Sequence, residues 1–123
     1  MDAKILLVED ERSQRLLYKQ VLQDEGYDVF DAKNGAEALE IVVKHHPDVA
    51  VLDIRLTGED GLELMGKLMN INEEMPIILH TAYAAWKDNF RGKLADAYVI
   101  KSSDMSELRA AVKKVLKQRL ENS

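Results

Sequence analysis

A chain of 123 residues can bury one core without staples, and its 17 basic against 22 acidic residues give a net charge of −5 with no basic cluster, which argues against direct nucleic-acid binding. It has no cysteine, so disulfides and thiolate metal sites are excluded. No stretch approaches the roughly 20 apolar residues of a membrane span, and the opening M-D-A-K-I-L-L-V-E-D meets carboxylates too early for a signal peptide, so a soluble, cytoplasmic domain is the expectation.

The elements alternate along the chain. Residues 4–8 (K-I-L-L-V) form a short apolar run that ends in Glu9-Asp10. Helical spacing of Leu17, Val21 and Leu22 predicts a helix over 12–25, stopped by Gly26. Residues 27–32 alternate as a strand, and 35–46 read as a helix ended by Pro47. The V-A-V-L run at 49–52 is apolar on both faces and leads directly into Asp53. A loop, T-G-E-D-G, precedes a helix over about 62–69. After Pro76 the run 77–79 finishes at His80-Thr81. A weaker helix spans about 84–93, and the strand 97–100 ends at Lys101. The last helix is announced by Asp104 and Glu107, spaced as a capping box, and by an apolar stripe of Leu108, Val112, Val115 and Leu116.

This is the order of five βα units, one domain over residues 1–123. Strands rich in Val, Ile and Leu imply an α/β fold, a doubly wound parallel five-stranded sheet with helices on both faces. Ligands of such sheets lie beyond the carboxyl ends of the strands. Glu9 and Asp10, Asp53, Thr81 and Lys101 stand there, whereas the second strand, ending near Asp31-Ala32, adds nothing obvious, as an edge strand would not.

Crowded carboxylates repel one another unless a cation joins them, and oxygen-only donors suit Mg²⁺ or a similar hard ion such as Mn²⁺. Lys101 offsets one further charge. An Asp beside Mg²⁺, with an ammonium and a hydroxyl nearby, suits a carboxylate nucleophile that receives a phosphoryl group. His80, next to Thr81, should point into a helix layer, and His45-His46 reads as a solvated helix end, because adjacent helical positions do not face together.

The set V-E-D (8–10), L-D-I-R-L-T-G-E-D-G (52–61), H-T-A-Y (80–83) and Y-V-I-K (98–101) resembles the receiver domain of two-component response regulators, in order and across essentially the whole chain. That resemblance implies a flavodoxin-like sheet of order 2-1-3-4-5. It makes Asp53 the phosphoacceptor of a histidine kinase or phosphotransfer protein, with Glu9, Asp10, Asp53 and the backbone carbonyl of Arg55 around Mg²⁺. Thr81 resembles the switch hydroxyl, Lys101 the phosphoryl contact and Tyr98 the switch aromatic. Output would pass through the fourth helix, fifth strand and fifth helix to a downstream protein or to an effector domain absent from this chain. Homodimers through the fourth-helix face are common in the family. A receiver is a phosphoacceptor rather than an enzyme in the usual sense, although it can catalyse its own phosphorylation and dephosphorylation.

Three departures stand out. Ser102 follows the lysine where the family usually has proline, and a cis bond before a non-proline costs roughly 2.5–4 kcal/mol, so a trans 101–102 bond is expected. Leu56-Thr57 stands where Met-Pro is frequent, and Leu94 where glycine is common. Rival readings fit less well. An aspartyl-phosphate phosphatase wants a second Asp two residues after the first, where this chain has Arg55, and a flavodoxin needs a hydroxyl- and glycine-rich first loop, where it has E-D-E-R-S-Q. A receiver-like interaction module that signals without phosphorylation is the remaining alternative.

Arg55 and Tyr83, each two residues beyond a site residue, are placed to overhang the phosphoryl group and set its lifetime. Tyr83→Ala should therefore speed the decay of the phosphorylated protein; a decay rate equal to that of the parent would rule out a shielding role.

Overall fold

Alternation along each strand divides the core. The computed structural model describes residues 2–82 and 95–122. In β1 (Lys4–Val8), Ile5 and Leu7 point to one face of the sheet and Leu6 and Val8 to the other, all of them buried. In β3 (Val49–Leu52), Val49 and Val51 take the first face and Ala50 and Leu52 the second. A strand apolar on both faces is stable only when covered on both, and this dictates the three layers.

On one side lie α1 (Arg12–Asp24) and α4 (Ser106–Asn122), with Tyr18, Leu22, Leu108, Val112 and Val115 in that core. On the other lie α2 (Gly35–His45) and α3 (Gly61–Ile71), with Ala38, Val42, Leu62, Met65 and Leu68. Each fully buried Leu, Ile or Val contributes roughly 1.5–3 kcal/mol.

With β2 (Asp28–Ala32), β6 (Ile77–Thr81) and β7 (Ala97–Ile100), the main sheet has the order β2-β1-β3-β6-β7, every pair parallel. This is the expected 2-1-3-4-5 order, with the second strand at an edge. The additional strands β4 (Arg55–Leu56) and β5 (Glu59–Asp60) form a small antiparallel hairpin where the sequence suggests a plain loop. They carry no apolar alternation long enough to announce them.

Several expectations need correction. Leu17 is half exposed; the buried stripe of α1 is Tyr18 and Leu22, four residues apart, and Leu17 falls beside it. α2 ends because His46 turns left-handed, at φ 50°, one residue before Pro47. His45 is not a solvated end: its ring stacks on Phe30 at 4.3 Å. The Asp104–Glu107 capping box does not form, because α4 starts only two residues after Asp104. The Asp104 carboxylate accepts from Ser106 N–H at 2.9 Å, and its own N–H donates to Ser102 Oγ at 2.9 Å. Ser102, at the position of the expected proline, thus supplies the reciprocal half of the cap. No peptide bond among the described residues is cis, the 101–102 bond included. The helix expected over 84–93, with Trp86, and the positions Tyr83 and Leu94 lie outside the described residues.

His80 faces the α1 layer, as read from its neighbour. It is only 3 % exposed and meets the Tyr18 ring edge-on at 4.7 Å. Burial, aided by the Lys101 charge, lowers its pKa from 6.5 to about 4, so the imidazole is neutral near pH 7. Between those values the unfolded chain binds the proton and the folded one does not, so stability present above pH 6.5 is lost as pH falls toward 4. The loss amounts to about 3 kcal/mol at 1.36 kcal/mol per pKa unit. His80→Phe keeps an aromatic partner for Tyr18 and removes that proton. Urea unfolding at several pH values should show the parent losing stability relative to the variant on acidification; parallel pH profiles would refute the assignment.

Candidate functional site

Three backbone hydrogen bonds aim the site. Glu9, Asp53 and Lys101 each stand one residue beyond a strand, and each donates its N–H to a neighbouring strand: Glu9 to Ala32 O at 3.0 Å, Asp53 to Val8 O at 3.3 Å and Lys101 to Thr81 O at 2.7 Å. The ladder therefore fixes the backbone of all three and sends their side chains into one crevice at the carboxyl ends of the strands.

There Lys101 Nζ donates to Glu9 Oε1 at 2.5 Å, to Asp53 Oδ2 at 2.6 Å and to Gln14 Oε1 at 2.7 Å. It lies 5.7 Å from the centroid of the Tyr18 ring. A trans bond to Ser102 has not loosened its aim. The second oxygen of Asp53 accepts from Arg55 N–H at 3.1 Å. Glu9 Oε2 accepts from Glu11 N–H at 3.2 Å. Burial pushes the Glu9 carboxyl above its ordinary value, and the shared ammonium only partly offsets this. Burial would lower Lys101, but the Asp53 and Glu9 carboxylates outweigh it and raise the ammonium pKa. One cation between two acids leaves Glu9, the more deeply buried of them, short of compensation.

Asp10 lies beside Glu9, whose side chain it meets, but outside the reach of Lys101. Its Oδ2 accepts from Thr57 N–H at 2.7 Å and also from the Thr57 hydroxyl. Burial works against its charge, but these bonds prevail and hold its pKa below the usual carboxylate value. The structure thus joins Glu9, Asp53 and Lys101, and bonds Asp10 both to Glu9 and to Thr57 of the β4–β5 hairpin. Thr81 is fully buried at the end of β6. Tyr98, paired in register with Leu79, is half-buried and packs against the α2–α3 core.

The second strand is not idle. Arg15 Nε pairs with Asp31 at 3.3 Å and Lys19 with the same carboxylate at 2.9 Å. Arg15 Nη1 then donates to the carbonyls of Glu9 at 2.9 Å and Asp10 at 3.4 Å. Asp31 therefore holds Arg15 over the turn that carries both acids. The signal was present as two cations four residues apart on α1, followed by a strand carboxylate; Gln14 left no comparable trace.

Among the described residues no three carboxylates or imidazoles are gathered as metal ligands. The donor chemistry nevertheless fits a hard divalent cation. Glu9, Asp10 and Asp53 supply oxygen donors, and a single ammonium does not neutralise three acids. Thr57 occupies one of the Asp10 oxygens, Oδ2.

The family model of the response regulator receiver domain matches residues 5–113. The chain belongs to that family. This receiver is 39% identical over 118 residues to sporulation initiation phosphotransferase F of Bacillus subtilis, covering 94% of this chain and 95% of that protein. It is 32% identical to response regulator MprA of Mycobacterium sp. (strain KMS), covering 96% of this chain but only 52% of that protein, so it spans about half of MprA. Among solved structures, response regulator TrrA of Thermotoga maritima in complex with Mg²⁺-BeF superposes with a TM-score of 0.87 at 40% identity, over 92% of this chain and 98% of that one. TrrA in complex with the histidine kinase ThkA gives a TM-score of 0.86 at 40% identity, over 93% and 98% of the two chains.

The loop after Asp53 is pressed against the start of α3. Gly61 N–H donates to Ile54 O at 2.7 Å, and a Cβ on Gly61 would lie 2.2 Å from Asp53 O. Backbone cannot give way as a flexible side chain can. Gly61→Ala should cost about 3 kcal/mol in urea unfolding; a loss below about 0.5 kcal/mol, the usual effect at an unconstrained surface site, would show that the contact is relieved cheaply.

Proposed function

We propose that this receiver takes a phosphoryl group onto Asp53 from a phosphohistidine of a histidine kinase or phosphotransfer protein. The observation that carries the reading is the Asp53 carboxylate fixed 2.6 Å from the Lys101 ammonium at the end of β3. An N–P bond breaks on the donor histidine and an O–P bond forms on Asp53, so no oxidant or further reactant enters. Asp53 is the nucleophile, and Lys101 stands where it can follow charge onto the phosphoryl oxygens. Positioning and charge neutralisation dominate such transfers.

Asp10, Asp53 and the Arg55 carbonyl, with Glu9 behind them, would hold Mg²⁺, which when bound supplies further positive charge to the phosphoryl oxygens. The complexes of TrrA with Mg²⁺-BeF and with the histidine kinase ThkA support both the metal and the class of donor. The protein is in this reading a phosphoacceptor whose own site assists gain and loss of the group. Thr81 and Tyr98, neighbours on β6 and β7, would relay the change to β7, α4 and the segment 83–94, altering affinity for a downstream protein.

The deciding experiment is intact-protein mass after incubation with acetyl phosphate and Mg²⁺, and separately with a phosphorylated histidine kinase. One phosphoryl-sized gain is expected, abolished by Asp53→Ala and by EDTA. Lys101→Met should slow the transfer about a hundredfold or more, as loss of one preorganised electrostatic contact does. A folded protein that gains no mass from either donor would overturn the reading.

A further inference from the structure

The one acid of the three that Lys101 does not bind is held by a residue with no part in the phosphoacceptor chemistry described above. We propose that Thr57 is a positioning residue whose two donors hold Asp10 off a divalent cation and so set the metal affinity of this receiver. The inference rests on the metal reading of Glu9, Asp10 and Asp53 given above.

Three observations carry it. First, Glu9 and Asp53 both share the Lys101 ammonium, whereas Asp10 makes no ion pair among the described residues. Its charge is met by hydrogen bonds rather than by a cation. Second, both Thr57 donors, the N–H at 2.7 Å and the hydroxyl, converge on one oxygen of Asp10, a tie across 47 positions of sequence. Hydrogen bonds to an ionised acceptor are stronger than neutral ones. Third, the tie is optional for the backbone. Thr57 and Gly58 are the central residues between β4 and β5, and Gly58 has φ +76°. His46 is the one described non-glycine residue with positive φ, so φ at Thr57 is negative. Negative then positive φ is the signature of a type II turn, which favours proline at its first central position. A residue with neither donor would suit this turn, so threonine adds the tie without being needed to make the bend.

The consequence is a competition. A cation that takes Oδ2 of Asp10 binds only in molecules where the tie is open, and the apparent dissociation constant rises in inverse proportion to that fraction. Two exposed hydrogen bonds, each of order 1 kcal/mol, together correspond to about a thirtyfold penalty.

The test is binding of Mn²⁺, followed by the electron paramagnetic resonance of the free ion, and of Mg²⁺ by calorimetry. It compares the parent chain with Thr57→Pro, which removes both donors, and Thr57→Val, which removes the hydroxyl alone. Thr57→Pro should bind about thirtyfold more tightly and Thr57→Val about fivefold. Asp10→Asn in either background should abolish the gain. Thr57→Val keeps the test decisive if the proline variant does not fold. Equal or weaker binding by the folded variants would overturn the proposal while leaving the metal site standing. Absence of binding in every protein would overturn both.

Discussion

A single half-buried ammonium shared by two carboxylates is the constraint around which this molecule is arranged. Glu9 and Asp53 end two adjacent parallel strands, so they are neighbours by construction. Bringing two acids into a covered crevice is costly unless a cation joins them. Lys101 reaches them because β7 pairs with β6 and one further ladder bond, to Thr81 O, fixes its backbone. The requirement runs both ways. Without the acids Lys101 would be a half-buried charge in search of a partner, and without Lys101 the strand ends would repel. A site assembled from opposed charges in this way is poised to receive an anionic group.

Around that centre the chain uses backbone hydrogen bonds where a loop would otherwise be loose. Arg15, held by Asp31, grips the carbonyls of Glu9 and Asp10. Glu59 accepts from Gly35 N–H at 2.5 Å, tying the small hairpin to the start of α2. Gly61 lets the loop carbonyls lie against the start of α3. Each contact joins the strand-end side of the sheet to a helix, which keeps the walls of the crevice rigid.

The departures from the family pattern acquire physical content in this setting. Ser102 completes a cap with Asp104, so the turn after Lys101 is ordered by hydrogen bonds. Thr57 binds Asp10 directly. Both are short hydroxyl residues at positions where a proline would offer no donor, and both convert a fixed bend into a bonded one.

The sequence by itself determined the layers, the parallel sheet and the meeting of Glu9, Asp53 and Lys101. Strand ends can be read from where apolar runs stop, and in a parallel sheet of this order those ends share one edge. It also placed His80, because alternation along a strand assigns faces. Tertiary structure alone decided how side chains chose among partners at hydrogen-bond range. Asp10 turned to Thr57, His45 found Phe30, Gln14 joined Lys101, and Asp31 became the support for Arg15. The 55–60 hairpin was equally hidden. Periodicity encodes which face a residue occupies, because burial repeats with the backbone. It does not encode which of several nearby donors an exposed carboxylate will take, since that depends on distances set only when distant segments pack together.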